Sequence, residues 1–245
     1  MILILTQNFP SRLGGIESLM FNLALGLSKN EKIIIFADSH HILHDSIFDN
    51  KYKDKILIKR IGGLKFFRRR KKIREIKPLI HSNKVKLVIG DSWKSLELGI
   101  DYLKKNKIPT LCLAHGNELL SNKKYKKKRI ITTLNKVNSI VSNSLFTNNL
   151  VKEFIHTNVQ LNIIHPGAID IRNIKEVKIP NIDGKPILLT LARLEKRKGH
   201  ALIIESVKKL RLKFPKILYV IAGSGSELNK LKNIVKSENL ENNII

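Results

Sequence analysis

The chain has 245 residues, of which 42% are apolar, 27% charged and 6% aromatic, a composition that excludes a disordered or fibrous protein and suffices for one full domain plus part of a second. Its net charge of +26 invites nucleic acid as a partner, because Lys and Arg displace phosphate counterions, yet the charge is diffuse: residues 1–180 carry 33 basic and 14 acidic side chains, and residues 181–245 carry 13 and 6. Heavy use of Lys, Asn and Ile fits a coding bias that decorates solvated faces with Lys. The basic runs are not interleaved with exposed aromatics and Trp93 begins an expected core helix, so no specific nucleic-acid partner is expected.

In chain order, short apolar runs alternate with longer amphipathic ones, the signature of a parallel sheet covered by helices. No apolar run approaches the roughly 18–20 residues of a membrane helix, and the opening MILILTQNFP lacks a basic front end and a cleavage site, so a cytoplasmic chain is expected. Residues 2–6 read as a buried strand, followed by a turn at Gly14 and Gly15 and a helix marked by Ile16, Leu19, Met20, Leu23, Ala24 and Leu27. Further strands are expected at 32–37, 56–60, 86–90, 110–114, 139–142 and 162–165, and helices near 69–82, 94–105, 126–136 and 145–155. Residues 40–54 and 59–70 read as variable loops. Cys112, the only cysteine, lies between Leu111 and Leu113 and reads as a small buried apolar residue. A low-apolar stretch with Pro180, Gly184 and Pro186 reads as a linker. Beyond it come a strand at 187–192, a helix at 201–212, a strand at 217–222, a helix at 227–237 and the first residues of a third strand.

One segment concentrates charge. KFFRRRKKIREIK, from Lys65 to Lys77, holds eight basic residues and one acid, Glu75. Lys65, Arg68, Arg69, Arg70, Lys71 and Lys72, with Phe66, Phe67, Ile73 and Ile76 as an apolar side, fit a basic amphipathic helix on anionic head groups. An ordinary surface helix packed on a sheet fits equally well.

In doubly wound sheets ligands bind beyond the carboxyl ends of the strands, and the candidate residues stand at those ends. Gly14 and Gly15 either let a ligand approach the backbone or simply make a turn; the spacing is not GxGxxG, and GxxxxGK[ST] is absent. His115 ends the strand TLCLAHG with Glu118 three residues on, a pair suited to orienting a reacting group or to plain strand-end hydrogen bonding. In ARLEKRKGH, Arg193 and Lys198 are two cations able to hold a diphosphate, with Gly199 allowing close approach. AGSGSE then repeats the strand, glycine turn and helix arrangement at Gly223 and Gly225.

Taken in order, FPSRLGGIE, AHGNE, the SLFT segment at Ser144–Thr147, HPGAID, LARLEKRKGH and IAGSGSE resemble the retaining glycosyltransferases of family 4. The resemblance implies an α/β fold of GT-B type: a complete N-terminal Rossmann-like domain (1–171), a linker (172–185) and the first part of a second Rossmann-like domain (186–245). It implies a hexosyltransferase that moves a sugar from a nucleotide-sugar donor to a glycan or lipid-linked acceptor in cell-envelope polysaccharide synthesis, at the inner face of the membrane. In that scheme Gly15, Arg193 and Lys198 hold the donor diphosphate, and His115 lies near the transferred sugar. Gly223 and Gly225 line the nucleotide side, Gly14, Glu118 and Ser144 support the acceptor side, and neither cofactor nor metal is needed. The family's glutamate pair, ExxxxxxxE in an EGFG context, is not found, so a truncated chain that binds donor poorly and turns over little or not at all is expected. A non-catalytic module that docks anionic lipid or acceptor through Lys65–Lys77 is the alternative.

Overall fold

Residues Met1–Ile169 form one compact unit and Asp170–Ile245 a second, in a computed structural model that describes every residue except 83, 157, 169, 171, 173 and 176–181. Half of the expected linker, 172–185, lies outside the described residues.

The first unit is built on seven strands, β1 (Ile2–Thr6), β2 (Ile33–Asp38), β3 (Leu57–Ile61), β4 (Leu87–Gly90), β5 (Thr110–Ala114), β6 (Ser139–Ser142) and β7 (Gln160–Ile163). They pair in the order β3-β2-β1-β4-β5-β6-β7, parallel throughout. Strands β1 and β2 are buried at every position, because helices cover both faces of a parallel sheet. The two-residue side-chain period splits them between two cores. Leu3, Leu5 and Phe36 pack with Ile76, Trp93 and Leu96, while Ile2, Ile4 and Ile35 pack with Met20 and Ala24.

Helices α1 (Gly15–Leu27), α2 (Ile42–Tyr52), α3 (Lys65–His81), α4 (Trp93–Leu96), α5 (Ile100–Lys105), α6 (Lys124–Leu134) and α7 (Leu145–Lys152) complete the unit. Four of them depart from expectation. Helix α2 occupies what reads as a loop at 40–54: its Ile42, Leu43 and Ile47 are exposed and its buried residue is the acid Asp45, while Phe48 and Tyr52 pack on Phe21, so no single apolar stripe announces it. The helix expected at 94–105 is two, interrupted at Gly99, where a Cβ would stand 2.6 Å from the Ile73 side chain. Helix α3 starts at Lys65, and the apolar side read into it divides: Ile73 and Ile76 are buried, Phe66 and Phe67 exposed.

The second unit pairs β8 (Ile187–Leu191) with β9 (Leu218–Ala222) in parallel and adds α8 (His200–Leu210) and α9 (Leu228–Ser237). A parallel bridge from Tyr219 to Ile244 begins a third strand. Leu194, Ile204, Val207, Tyr219 and Leu231 form its core. Along β8, Ile187, Leu189 and Leu191 are exposed. Among the described residues, no helix of either unit is long and apolar enough to cross a membrane.

Candidate active site

Strand order in unit 1 reverses between β1 and β4, the point where an α/β sheet opens a crevice beyond its strand ends. Asp91, directly after β4 and buried, organises that crevice. One carboxylate oxygen accepts from Thr6 Oγ1 at 2.7 Å and the Gln7 N–H at 2.8 Å, and the other from Ser95 Oγ at 2.5 Å, so the exits of β1 and β4 are tied together.

His115 leaves β5 beside them. Its Nε2 lies 2.9 Å from the Asp91 carbonyl, which can only accept, so the proton sits on Nε2 and Nδ1 is the ring's acceptor. Nδ1 has no hydrogen-bond partner among the described residues. Glu118 closes the turn: its carboxylate accepts the His115 N–H at 2.7 Å, and its carbonyl accepts Trp93 Nε1 at 3.2 Å. Gly116 between them has φ +102°, and a Cβ there would lie 3.2 Å from Thr147 Oγ1, so the SLFT segment packs against this turn. Ser144 itself is the N-cap of α7, its Oγ accepting from the Thr147 N–H at 3.2 Å.

Gly14 and Gly15 play different parts. A Cβ on Gly14 would meet the Glu17 carboxylate at 2.1 Å, whereas one on Gly15 would meet nothing within 4 Å. A side chain at Gly14 would thus have to displace the Glu17 carboxylate, while Gly15 leaves an open approach to the start of α1.

The basic segment is not a uniform outer face. Lys72 is buried and pairs with Asp38 and the Thr6 carbonyl, so it is withdrawn from any lipid contact, a correction to the head-group reading. Burial pulls the Lys72 ammonium below its ordinary pKa, with Asp38 acting against the shift. Arg68 also faces Asp38, at 3.5 Å. Arg69 and Arg129 share Glu97; burial works to raise the Glu97 pKa, and the hydrogen bonds from Arg129 and Arg69 outweigh it and hold it low. Lys65, Arg70 and Lys71 remain exposed on α3. Helical spacing carries a signal for the inward side, since positions 69, 72, 73, 76 and 80 fall on one face. Asp91 carries another, as the acid that ends the apolar run LVIG at the reversal point.

In unit 2, β8 runs into a 3-10 turn, Lys196–Lys198, closed by Gly199 at φ 74° in the left-handed region, where glycine alone is unstrained. Arg193, half-exposed, lies 3.1 Å from Glu195; Arg197 and then Arg193 hold the Glu195 carboxyl below its usual range. Lys198 has no ion pair among the described residues. His200 is buried and its Nε2 lies 3.2 Å from the Arg193 carbonyl, which anchors the loop. A Cβ on Gly223 would stand 1.9 Å from the Ala192 carbonyl oxygen, and one on Gly225 2.4 Å from that of Leu194. These glycines let the exits of β8 and β9 interlock, with the Leu194 N–H donating to the Ser224 carbonyl at 2.8 Å. Each unit thus gathers its own expected residues: His115, Glu118 and the Ser144 turn in the first, Arg193, Lys198, Gly223 and Gly225 in the second.

Residues 172–245 match the family Glycosyl transferases group 1. No curated protein matches the sequence. Among solved structures, Alr3699/HepE from Anabaena in complex with UDP is similar at TM-score 0.70 and 14% identity, over 99% of this chain and 67% of that one. Sucrose-phosphate synthase from Thermosynechococcus elongatus is similar at TM-score 0.74 and 14% identity, over 100% and 69%. A glycosyltransferase from Rickettsia africae is similar at TM-score 0.71 and 17% identity, over 100% and 66%. The chain spans about two thirds of the length of these proteins. It has the α/β fold of the GT-B glycosyltransferase structures, and its last 74 residues, 172–245, carry the match to the Glycosyl transferases group 1 family.

Proposed function

We propose that the chain works in retaining sugar transfer of the family 4 kind, with a nucleotide-sugar donor on unit 2 and an acceptor hydroxyl on unit 1. The observation that carries this reading is the strand-end loop from Arg193 to Gly199, two cations on a glycine-closed turn inside the span that matches Glycosyl transferases group 1. It is supported by similar structures that hold UDP, UDP with glucose, and UDP-glucose.

In the reaction the bond between the anomeric carbon and the donor diphosphate breaks, the acceptor oxygen bonds to that carbon, and the acceptor proton leaves with the released nucleoside diphosphate. Negative charge grows on the departing diphosphate. Arg193, a planar fork, and Lys198, a point charge, stabilise it where it develops, which serves the transition state more than the ground state. In this reading those cations supply the electrostatic work without a metal. His115, in the neutral form with Nε2 donating to the Asp91 carbonyl, offers Nδ1 as an acceptor to a sugar hydroxyl, while Glu118 holds the His115 backbone N–H.

Calorimetric titration with UDP and UDP-glucose tests the donor assignment. Arg193→Gln with Lys198→Gln should weaken UDP binding at least about tenfold, the usual loss when charge-assisted hydrogen bonds go. UDP binding that is absent in the parent chain, or equal in the variant, overturns it.

A further inference from the structure

A cavity of about 450 Å³ opens in unit 1 between α3, the exit of β1 and the α4 segment. Its chemistry is one-sided. Lys65, Arg69, Arg70, Lys94 and Arg129 line it with a single carboxylate, Asp38, and that carboxylate already faces Lys72 and Arg68. Counting those two with Lys126, and adding Glu97 and Glu118, eight cations stand against three carboxylates. Lys65, Arg70 and Lys94 have no ion pair among the described residues. Two further donors, Gln7 Nε2 and Arg69 Nε, are buried with no hydrogen-bond partner.

Lys94 shows that this is more than the chain's general basicity. Burial first, then the neighbouring charges of Lys126, Lys65 and Arg69, push its ammonium below the ordinary value, with Glu118 acting against the shift. A solvated surface lysine meets neither penalty. Holding a half-buried cation among like charges is unfavourable unless an anion enters and offsets it, and perturbed groups in a cleft mark functional sites. Phe66 and Leu98 give the cavity an apolar wall.

We propose that this cavity is a phosphate subsite, which holds a phosphate monoester or diphosphate carried by the acceptor. The proposal rests on the reading that the acceptor occupies unit 1. A phosphoryl group has only acceptor oxygens, and the lining offers mostly donors; a neutral glycan would leave the half-buried Lys94 without an added anion.

The test is titration of the full chain with inorganic diphosphate, glycerol 3-phosphate and UDP, compared across two double variants, Lys65→Gln/Lys94→Gln and Arg193→Gln/Lys198→Gln. Glycerol 3-phosphate binding should fall about tenfold or more in the first and be unchanged in the second, UDP binding should follow the second, and diphosphate, which fits both cation sets, should lose part of its binding in each. Glycerol 3-phosphate binding unaffected by Lys65→Gln/Lys94→Gln, or lost with Arg193→Gln/Lys198→Gln, overturns the proposal. A chain that binds diphosphate through Lys94 and no UDP keeps the subsite and loses the donor reading.

Flotation with phosphatidylglycerol and phosphatidylcholine vesicles separates the sources of the phosphate. Capture by phosphatidylglycerol that falls with Lys94→Gln alongside glycerol 3-phosphate binding places the group on a lipid; loss of soluble binding alone places it on a free acceptor. Loss of vesicle capture alone reduces the patch to surface charge and overturns the subsite. Two measurements guard against misfolding. The Lys94→Gln chain should melt no lower than the parent, since a penalised charge is removed, and the Lys94 ammonium followed by NMR in the parent should titrate at higher pH once diphosphate is bound.

Discussion

Lys72 carries its ammonium into the interior of unit 1, where Asp38 and the Thr6 carbonyl receive it. A buried pair of this kind contributes little beyond what two apolar groups would, but removing one partner strands the other. Lys72→Met should therefore destabilise the fold by about 3 kcal/mol, because Asp38 then keeps only Arg68 at longer range, whereas Lys72→Met with Asp38→Leu should recover much of the loss. Chemical denaturation of both variants checks this; equal stability of Lys72→Met and the parent refutes it. In sequence Lys72 is one of five consecutive cations from Arg68, and formal charge does not say which of them turn inward. The period of Ile73, Ile76 and Ile80 does, since Lys72 and Arg69 share their face. Asp91 was harder to see: an acid that ends an apolar run also occurs at Asp38 after IIIFA, and the importance of Asp91 comes from strand order, which places the exit of β4 beside the exit of β1.

At the scale of elements, the central strands were legible because four to six apolar residues between polar turns admit few other readings. Helix α2 was not, because its exposed Ile42, Leu43 and Ile47 break the stripe that packing normally imposes. The glycine turns show the same limit. In sequence Gly15 and Gly223 are alike, each following a strand and preceding a helix. In the fold they separate, since a Cβ at Gly223 would overlap the Ala192 carbonyl while one at Gly15 meets open space. Gly223→Ala should thus cost unit 2 about 3 kcal/mol, near the upper end for overpacking. Gly15→Ala, at the first position of α1, should leave stability equal or up to about 1 kcal/mol higher, as alanine favours helix over glycine. If Gly15 faces the donor, the same change should weaken UDP-glucose binding. Thermal melts and calorimetry on the two variants separate a glycine kept for packing from one kept for a ligand, and a destabilised Gly15→Ala would refute the distinction.

For the whole molecule, the exposed Ile187, Leu189 and Leu191 of β8 matter together with the net charge of +26. Strand β8 pairs only with β9 among the described strands, so an apolar stripe lies along an open backbone edge, a template for another strand. In colloidal terms the chain is a strongly charged particle that carries an adhesive line. At low ionic strength like charge keeps copies apart; at about 1 M salt the screening length shrinks to about 3 Å and short-range attraction takes over. Light scattering should then show net repulsion turning to attraction as salt is added, the reverse of the salt response of a nucleic-acid complex. Leu189→Lys, which places a charge on the stripe, should keep the interaction repulsive, so salt can act as a switch for keeping this protein dispersed.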